Sequence, residues 1–135
     1  MIDYRDDIRP ELELVRALYR ACSLGARRPV DDDARFAAMQ ANANLVITAW
    51  EGDMLVGISR SLTDFAYCTY LSDLAVRESH QRAGIGRELI RRTRNAAAQA
   101  TLILLAAPAA VDYYPRIGFK HHESAWLLAS GDSLA

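Results

Sequence analysis

The sequence predicts an α+β fold of three layers: one mixed, mostly antiparallel sheet with helices on both of its faces. Three observations lead there. Runs rich in β-branched and apolar residues at 45–50, 54–62 and 66–76 are separated by short polar breaks, the pattern of an antiparallel meander. An amphipathic run at 85–99 then leads into the almost wholly apolar "TLILLAAP", as a strand, crossover helix and parallel strand would read. The chain has 135 residues, within the usual range of one domain and long enough to bury a core without staples, so a single domain over 1–135 is expected.

The elements follow in order. A short strand is expected at 2–4. After Pro10, "ELELVRALYRAC" places Leu12, Val15, Ala17, Leu18 and Cys22 on roughly one helical face. The Gly- and Pro-punctuated segment 23–33 reads as irregular, and Asp31, Asp32 and Asp33 suit the start of a second helix, "ARFAAMQANA". "NLVITAW" and "MLVGISRSL" flank Glu51, Gly52 and Asp53, a hairpin signal. "AYCTYLSDLAV" is a third, longer strand. In the helix at 85–99, Ile85, Leu89, Thr93 and Ala96 mark one face and Arg87, Arg91 and Arg94 the other. A strand in "TLILLAAP", a brief helix in "AAVDYYPRIG" and a last strand in "FKHHESAWLLA" complete the order.

Composition excludes several classes of function. Apolar residues make up 51% and charged residues 24%, as in an ordinary globular protein. A net charge of −1 offers no broad basic field for a nucleic acid. Cys22 and Cys68 lie far apart, with no CxxC and no His at ligand spacing, so neither a zinc site nor a disulfide framework is indicated and no metal is expected. The acidic start "MIDYRDDIRP" does not read as a secretory signal, and no apolar run approaches the ~20 residues of a membrane span. A cytoplasmic protein is expected.

The stretch "QRAGIG" at 81–86 stands where the third meander strand hands over to the amphipathic helix. Backbone N–H groups at a helix start lack intrahelical partners and form an anion site. Glycines at 84 and 86 let a phosphate approach without meeting a Cβ, and Arg82 and Arg87 add positive charge. The plain alternative is that the glycines only permit a tight turn. A nucleotide P-loop would need Lys and then Ser or Thr after its last glycine, where Arg87 and Glu88 stand. A dinucleotide fingerprint would need a small residue where Leu89 stands, and the preceding meander does not fit a doubly wound sheet.

Taken together, "LAV" at 74–76, "QRAGIGRELI" and "YYPRIGF" at 113–119 resemble the GCN5-related N-acetyltransferases, the GNAT superfamily. That family's signature is Q/R-x-x-G-x-G/A after its fourth main strand, followed by a Tyr-x-x-x-Gly-Phe segment. The coarse element order agrees over nearly the whole chain. The resemblance implies the GNAT fold, with a sheet of six to seven strands. It also implies acetyl-CoA as co-substrate, its pyrophosphate held at Gln81, Arg82, Ala83, Gly84, Ile85, Gly86 and Arg87. Its pantetheine would pair with the strand edge at Leu74, Ala75 and Val76. Many members carry an Asn before the Tyr segment; here Ala106, Ala107 and Pro108 stand there, and one side-chain contact to the cofactor is missing.

Acetyl transfer to an amine needs a neutral amine, a donor for charge on the carbonyl oxygen and a proton for the leaving thiolate. By resemblance, Tyr114 is the acid, while Tyr113 reads as core, and a backbone N–H near Leu74 or Ala75 meets the oxygen. Asp73 stands in an otherwise uncharged strand and is a candidate base, with a strand-end Asp bonded to backbone or Arg as the alternative. Cys68 falls too early in its strand for an acyl-enzyme, which favours direct transfer in a ternary complex. Asp64 and Tyr67, with the segment 23–33, are weaker candidates for lining an acceptor pocket. His80 could touch a phosphate, and His121 and His122 read as solvated. Trp50 and Trp126 read as core or interface anchors, and Trp126 could serve a homodimer. The expected acceptor is a small amine. The alternatives are a protein N-terminal or lysine acetyltransferase, a non-catalytic acyl-CoA-binding or sensing module, and an interaction domain with a vestigial glycine loop.

Overall fold

The break at Glu51, Gly52 and Asp53 closes a tight hairpin. Glu51 pairs directly with Met54, and Gly52 takes φ +59°, a conformation that a Cβ would penalise. The computed structural model describes residues 1–135. They form two units, Met1–Leu105 and Ala106–Ala135.

The first unit is built on a five-stranded sheet in chain order: β1 (Asp3–Arg5), β2 (Leu45–Glu51), β3 (Met54–Thr63), β4 (Cys68–Val76) and β5 (Thr101–Ile103). The first four strands pair antiparallel and β5 runs parallel to β4, so the sheet is mixed. It has five strands where six to seven were expected.

Helices α1 (Leu12–Arg20) and α2 (Asp33–Asn42) supply one apolar layer, in which Val15, Leu18, Tyr19 and Phe36 pack with Val46, Leu55 and Ile58 of the sheet. Helix α3 (Ile85–Ala96) supplies another, in which Ile85 and Leu89 pack with Ile47, Ala49 and Val56. β3 is buried without interruption from Leu55 to Ser61 because layers cover both of its sides. Gly57 lets α3 settle onto β3: a Cβ there would meet Leu89 Cδ1 at 3.0 Å and Ile85 Cγ2 at 3.1 Å. The buried stripe of α3 continues through Thr93 to Ala97, not to the exposed Ala96, as spacing by four residues requires.

The Asp triplet divides its labour. The Asp32 carboxylate accepts the Arg35 N–H at 3.1 Å and caps α2. Asp33 pairs with Arg16 at 2.9 Å, and Asp31 pairs with Arg20. No helix is long and apolar enough to cross a membrane.

The second unit holds α4 (Tyr113–Arg116) after a 3-10 turn at Pro108–Ala110. Gly118, at φ +105°, reverses the chain after α4, and the Phe119 N–H returns to the Tyr114 carbonyl at 3.1 Å. The last strand expected in "FKHHESAWLLA" does not form. Lys120, His121, His122 and Glu123 interrupt any apolar alternation, and the unit contains no strand to pair with, so the backbone lacks a ladder partner. His121 and His122 are exposed, and Trp126 is 90% exposed.

Candidate functional site

β5 covers only the first residues of β4: Cys68, Thr69 and Tyr70 face Thr101, Leu102 and Ile103, and there the pairing stops. From Leu71 to Val76 the side of β4 away from β3 carries no partner strand, so β4 and β5 form an open fork. Which backbone groups look into that fork follows from the ladder. The Arg77 N–H donates to the Val56 carbonyl at 2.8 Å, which makes these two a hydrogen-bonded pair. Antiparallel pairs alternate, so Ile58 with Ala75 and Arg60 with Asp73 are bonded likewise. Leu74 and Val76 therefore turn their N–H and C=O groups away from β3 and into the fork. Of the two expected donors, Leu74 has the free N–H, whereas that of Ala75 points to β3.

A bulge sets this alternation. Arg60 pairs with Asp73 and the next residue, Ser61, with Leu71, which leaves Ser72 as the extra residue of β4. Beyond Val76, the 3-10 turn Glu78–His80 leads into 81–86 and then α3. The N–H groups of Arg82, Ala83, Gly84, Ile85, Gly86 and Arg87 donate to no protein acceptor, and α3 has no side-chain cap. Ile85 is buried and pins the loop, while Arg82 and Arg87 are exposed. Gln81 turns its amide back to the Val76 carbonyl at 2.9 Å, joining the loop to the strand edge. His80 is engaged by Ser79 at 2.7 Å and Glu51 at 3.2 Å.

The two glycines differ in cause. Gly84 sits at φ +86°, so the turn itself demands glycine. Gly86 does not: a Cβ there would meet Val76 Cγ2 at 3.7 Å and Leu74 Cδ2 at 3.9 Å, ordinary contacts. We expect Gly84→Ala to cost about 1–2 kcal/mol and Gly86→Ala to leave stability within about 0.5 kcal/mol of the wild type, both read by thermal or urea denaturation. The protein's own packing thus leaves Gly86 without a purpose, and an array of unpaired donors beside a clear approach fits a phosphate.

Asp73 is placed otherwise than a base should be. Its side chain is fully buried, on the α1/α2 side of β4. One oxygen takes Arg60 Nε at 2.7 Å and the Tyr19 hydroxyl at 2.6 Å; the other takes Arg28 Nε at 2.6 Å and the Ser72 hydroxyl at 3.2 Å. Burial works against its charge, but Arg60 above all, with Tyr19 and Arg28, holds the carboxyl below the ordinary range. A carboxylate so satisfied is a weak proton acceptor. The Tyr19 phenol is pushed well up by burial and by Asp73. Sequence reading missed Arg28, Arg60 and Tyr19; the one available signal was opposite charge at positions 60 and 73 of successive strands.

The weaker candidates have local tasks. The Asp64 carboxylate accepts the N–H groups of Ala66, Tyr67 and Cys68 at 2.9, 2.7 and 3.1 Å, closing the turn before β4. Those bonds, that of Tyr67 first, hold its carboxyl below the usual range. Tyr67 is 79% exposed. Cys68 is exposed at the first position of β4, six residues and about 20 Å from Leu74 along the strand. Cys22 is half-buried, and burial pushes its thiol up, away from the reactive range. In the second unit, Tyr114 is half-buried and meets Tyr113 and Phe119 edge to face, with ring centroids 5.3 and 5.4 Å away. Burial, and then Tyr113, raise its phenol above the ordinary value, so it keeps its proton near neutrality.

The sequence model of the acetyltransferase (GNAT) domain matches residues 28–127. The chain belongs to the GNAT family. Among solved structures, this GNAT domain is similar to a GNAT-family acetyltransferase of Streptococcus pneumoniae, with 25% identity, a TM-score of 0.74, and coverage of 95% of this chain and 98% of that one. It is also similar in fold to a probable acetyltransferase of Staphylococcus aureus, with 20% identity, a TM-score of 0.78, and coverage of 96% and 98%. A third structure of the same fold is the aminoglycoside N-acetyltransferase AAC(6')-Iy in complex with CoA, with 17% identity, a TM-score of 0.73, and coverage of 97% and 95%. No curated protein sequence matches this GNAT domain closely enough to add to that assignment.

Proposed function

We propose that this GNAT domain is an acetyl-CoA-dependent N-acetyltransferase that acylates a small primary amine by direct transfer in a ternary complex. The observation that carries the proposal is the run of unpaired backbone groups from the Leu74 N–H and C=O and the Val76 N–H to the N–H groups of the loop at 82–87. Acetyl-CoA supplies the activated acetyl thioester. The N–H groups of Arg82 to Arg87 and the positive end of α3 hold the pyrophosphate. Leu74 offers its N–H and C=O, and Val76 its N–H, to the pantetheine amides, the Val76 carbonyl being taken by Gln81. In this reading the Leu74 N–H meets the charge that develops on the carbonyl oxygen, and Tyr114, by its match to the family's Tyr-x-x-x-Gly-Phe segment, is the acid for the leaving sulfur. Proton removal from the amine falls to water, since Asp73 is committed to Arg60 and Arg28. Free thiols at Cys22 and Cys68 suit a reducing compartment.

Calorimetric titration with acetyl-CoA, with NADPH as a phosphate-bearing control, tests the cofactor. Selective micromolar binding is expected, and Gly86→Ala is expected to weaken it at unchanged melting temperature. Absence of binding would reduce the loop to a turn and remove the enzyme proposal. Ala106, Ala107 and Pro108, in place of the family's Asn, favour a second reading as a non-catalytic acyl-CoA-binding or sensing module. That reading predicts the same titration without release of CoA thiol in any amine screen. Peptide N-termini and lysines belong in that screen as the alternative acceptors.

A further inference from the structure

We infer that Arg28 is an acceptor-recognition residue and that the acceptor is a small amine carrying a carboxylate, an amino acid or a compound like one. The inference rests on the acetyltransferase proposal and names the substrate class of that same site. It starts from the charges of the segment 23–33. Its three acids are spent within the fold: Asp31 on Arg20, Asp33 on Arg16, and Asp32 on capping α2. Each of the three therefore already has a partner within the fold.

Arg28, by contrast, leaves the segment and lies against β4. Its Nε donates to Asp73, one terminal nitrogen to the Ser72 carbonyl at 2.9 Å, and the other to the Arg27 carbonyl at 2.9 Å. A guanidinium has five N–H donors, so these bonds leave two unspent. Its side chain keeps 23% of its surface exposed. The charge balance points the same way. Asp73 is the single carboxylate within ion-pair reach of both Arg28 and Arg60, so two cations share one anion and one positive charge is uncompensated. Arg60 is buried, which leaves Arg28 to present that charge to solvent.

The place matters as much as the sign. Ser72, which Arg28 grips by its carbonyl, is two residues and about 7 Å along β4 from Leu74. The unspent donors therefore lie a small molecule's length from the N–H proposed to face the reacting carbonyl. A planar fork with paired donors suits a carboxylate and repels a polycation.

The test uses the whole chain and matched acceptors: glycine, β-alanine and γ-aminobutyrate, each against its own amide, with spermidine as a polycation. Released CoA thiol gives kcat/KM for each, corrected for the fraction of neutral amine, and calorimetry with acetyl-CoA runs alongside. The expected result is a preference for the carboxylates of roughly tenfold to a hundredfold, the range of a charged hydrogen bond. Arg28→Gln should abolish that preference through KM, leaving kcat and acetyl-CoA affinity in place, and Arg28→Lys should restore part of it. Preference for the amides or spermidine, or an equal loss for both members of each pair in Arg28→Gln, would overturn the inference while acetyl-CoA binding stood. Binding of acetyl-CoA with no carboxylate acetylated would overturn it too. No acetyl-CoA binding would bring down the acetyltransferase proposal and this inference together. Should Arg28→Gln fail to fold, the wild-type series decides alone.

Discussion

Asp73→Asn is expected to destabilise the protein by about 3–5 kcal/mol, the cost of removing one partner from a buried ion pair. The change keeps the shape of the side chain and removes its charge, leaving the buried Arg60 guanidinium with the Met39 carbonyl and the Ser72 hydroxyl and no counter-charge. Against a domain stability of about 5–15 kcal/mol, this is a large share. Urea denaturation at neutral pH measures it. The pH dependence supplies an internal control. The folded pKa of Asp73 is depressed, so its contribution is fully present above the unfolded value of about 3.9 and is lost as pH falls through the folded value below that. The gap between wild type and variant should therefore narrow below about pH 4. A gap that is constant with pH would mean that packing, not charge, carries the effect.

Tyr114→Phe is expected to lower kcat by about a hundredfold, the lower range for a lost general acid, with little change in the affinity for acetyl-CoA. The phenol is raised above its usual value by burial and by Tyr113, so it stays protonated through the neutral range. A proton donor is lost as pH rises past its pKa, so wild-type kcat should fall on the alkaline side above about pH 10, and the variant should lack that limb. An unchanged kcat in Tyr114→Phe would remove this residue from the acid role and leave the leaving thiolate to solvent.

What the sequence made legible depended on how local the physics was. The hairpin at Gly52, the start of α2 at Asp32 and the turn before α3 are each fixed by a few neighbouring residues, and each stands where the residues pointed. The three-residue pairing of β5 with β4 opens the fork, and no local pattern marks where that pairing stops. Asp73 stands out in the sequence as a charge in an apolar strand, but its arginine partners come from 45 and 13 residues away and Tyr19 from 54, so its environment appears only once the chain is folded. The last strand is absent although apolar residues at Trp126, Leu127 and Leu128 suggest one, because strand formation needs a neighbour that composition does not reveal.

The open edge of β4 and the loop that follows also determine what evolution and mutagenesis can do here. Their donors are peptide groups, common to every residue but proline, so most side-chain replacements at Leu74, Val76, Arg82 or Ala83 leave the donor set intact. An alanine scan would pass over most of this surface without a signal, while proline or added bulk would be felt. The acceptor contact proposed at Arg28 is the opposite case: its chemistry is a single side chain, one codon change from a different charge. With the proposed division, the same small domain would keep the ligand bound by its main chain while drifting, residue by residue, in the acceptor bound by its side chains.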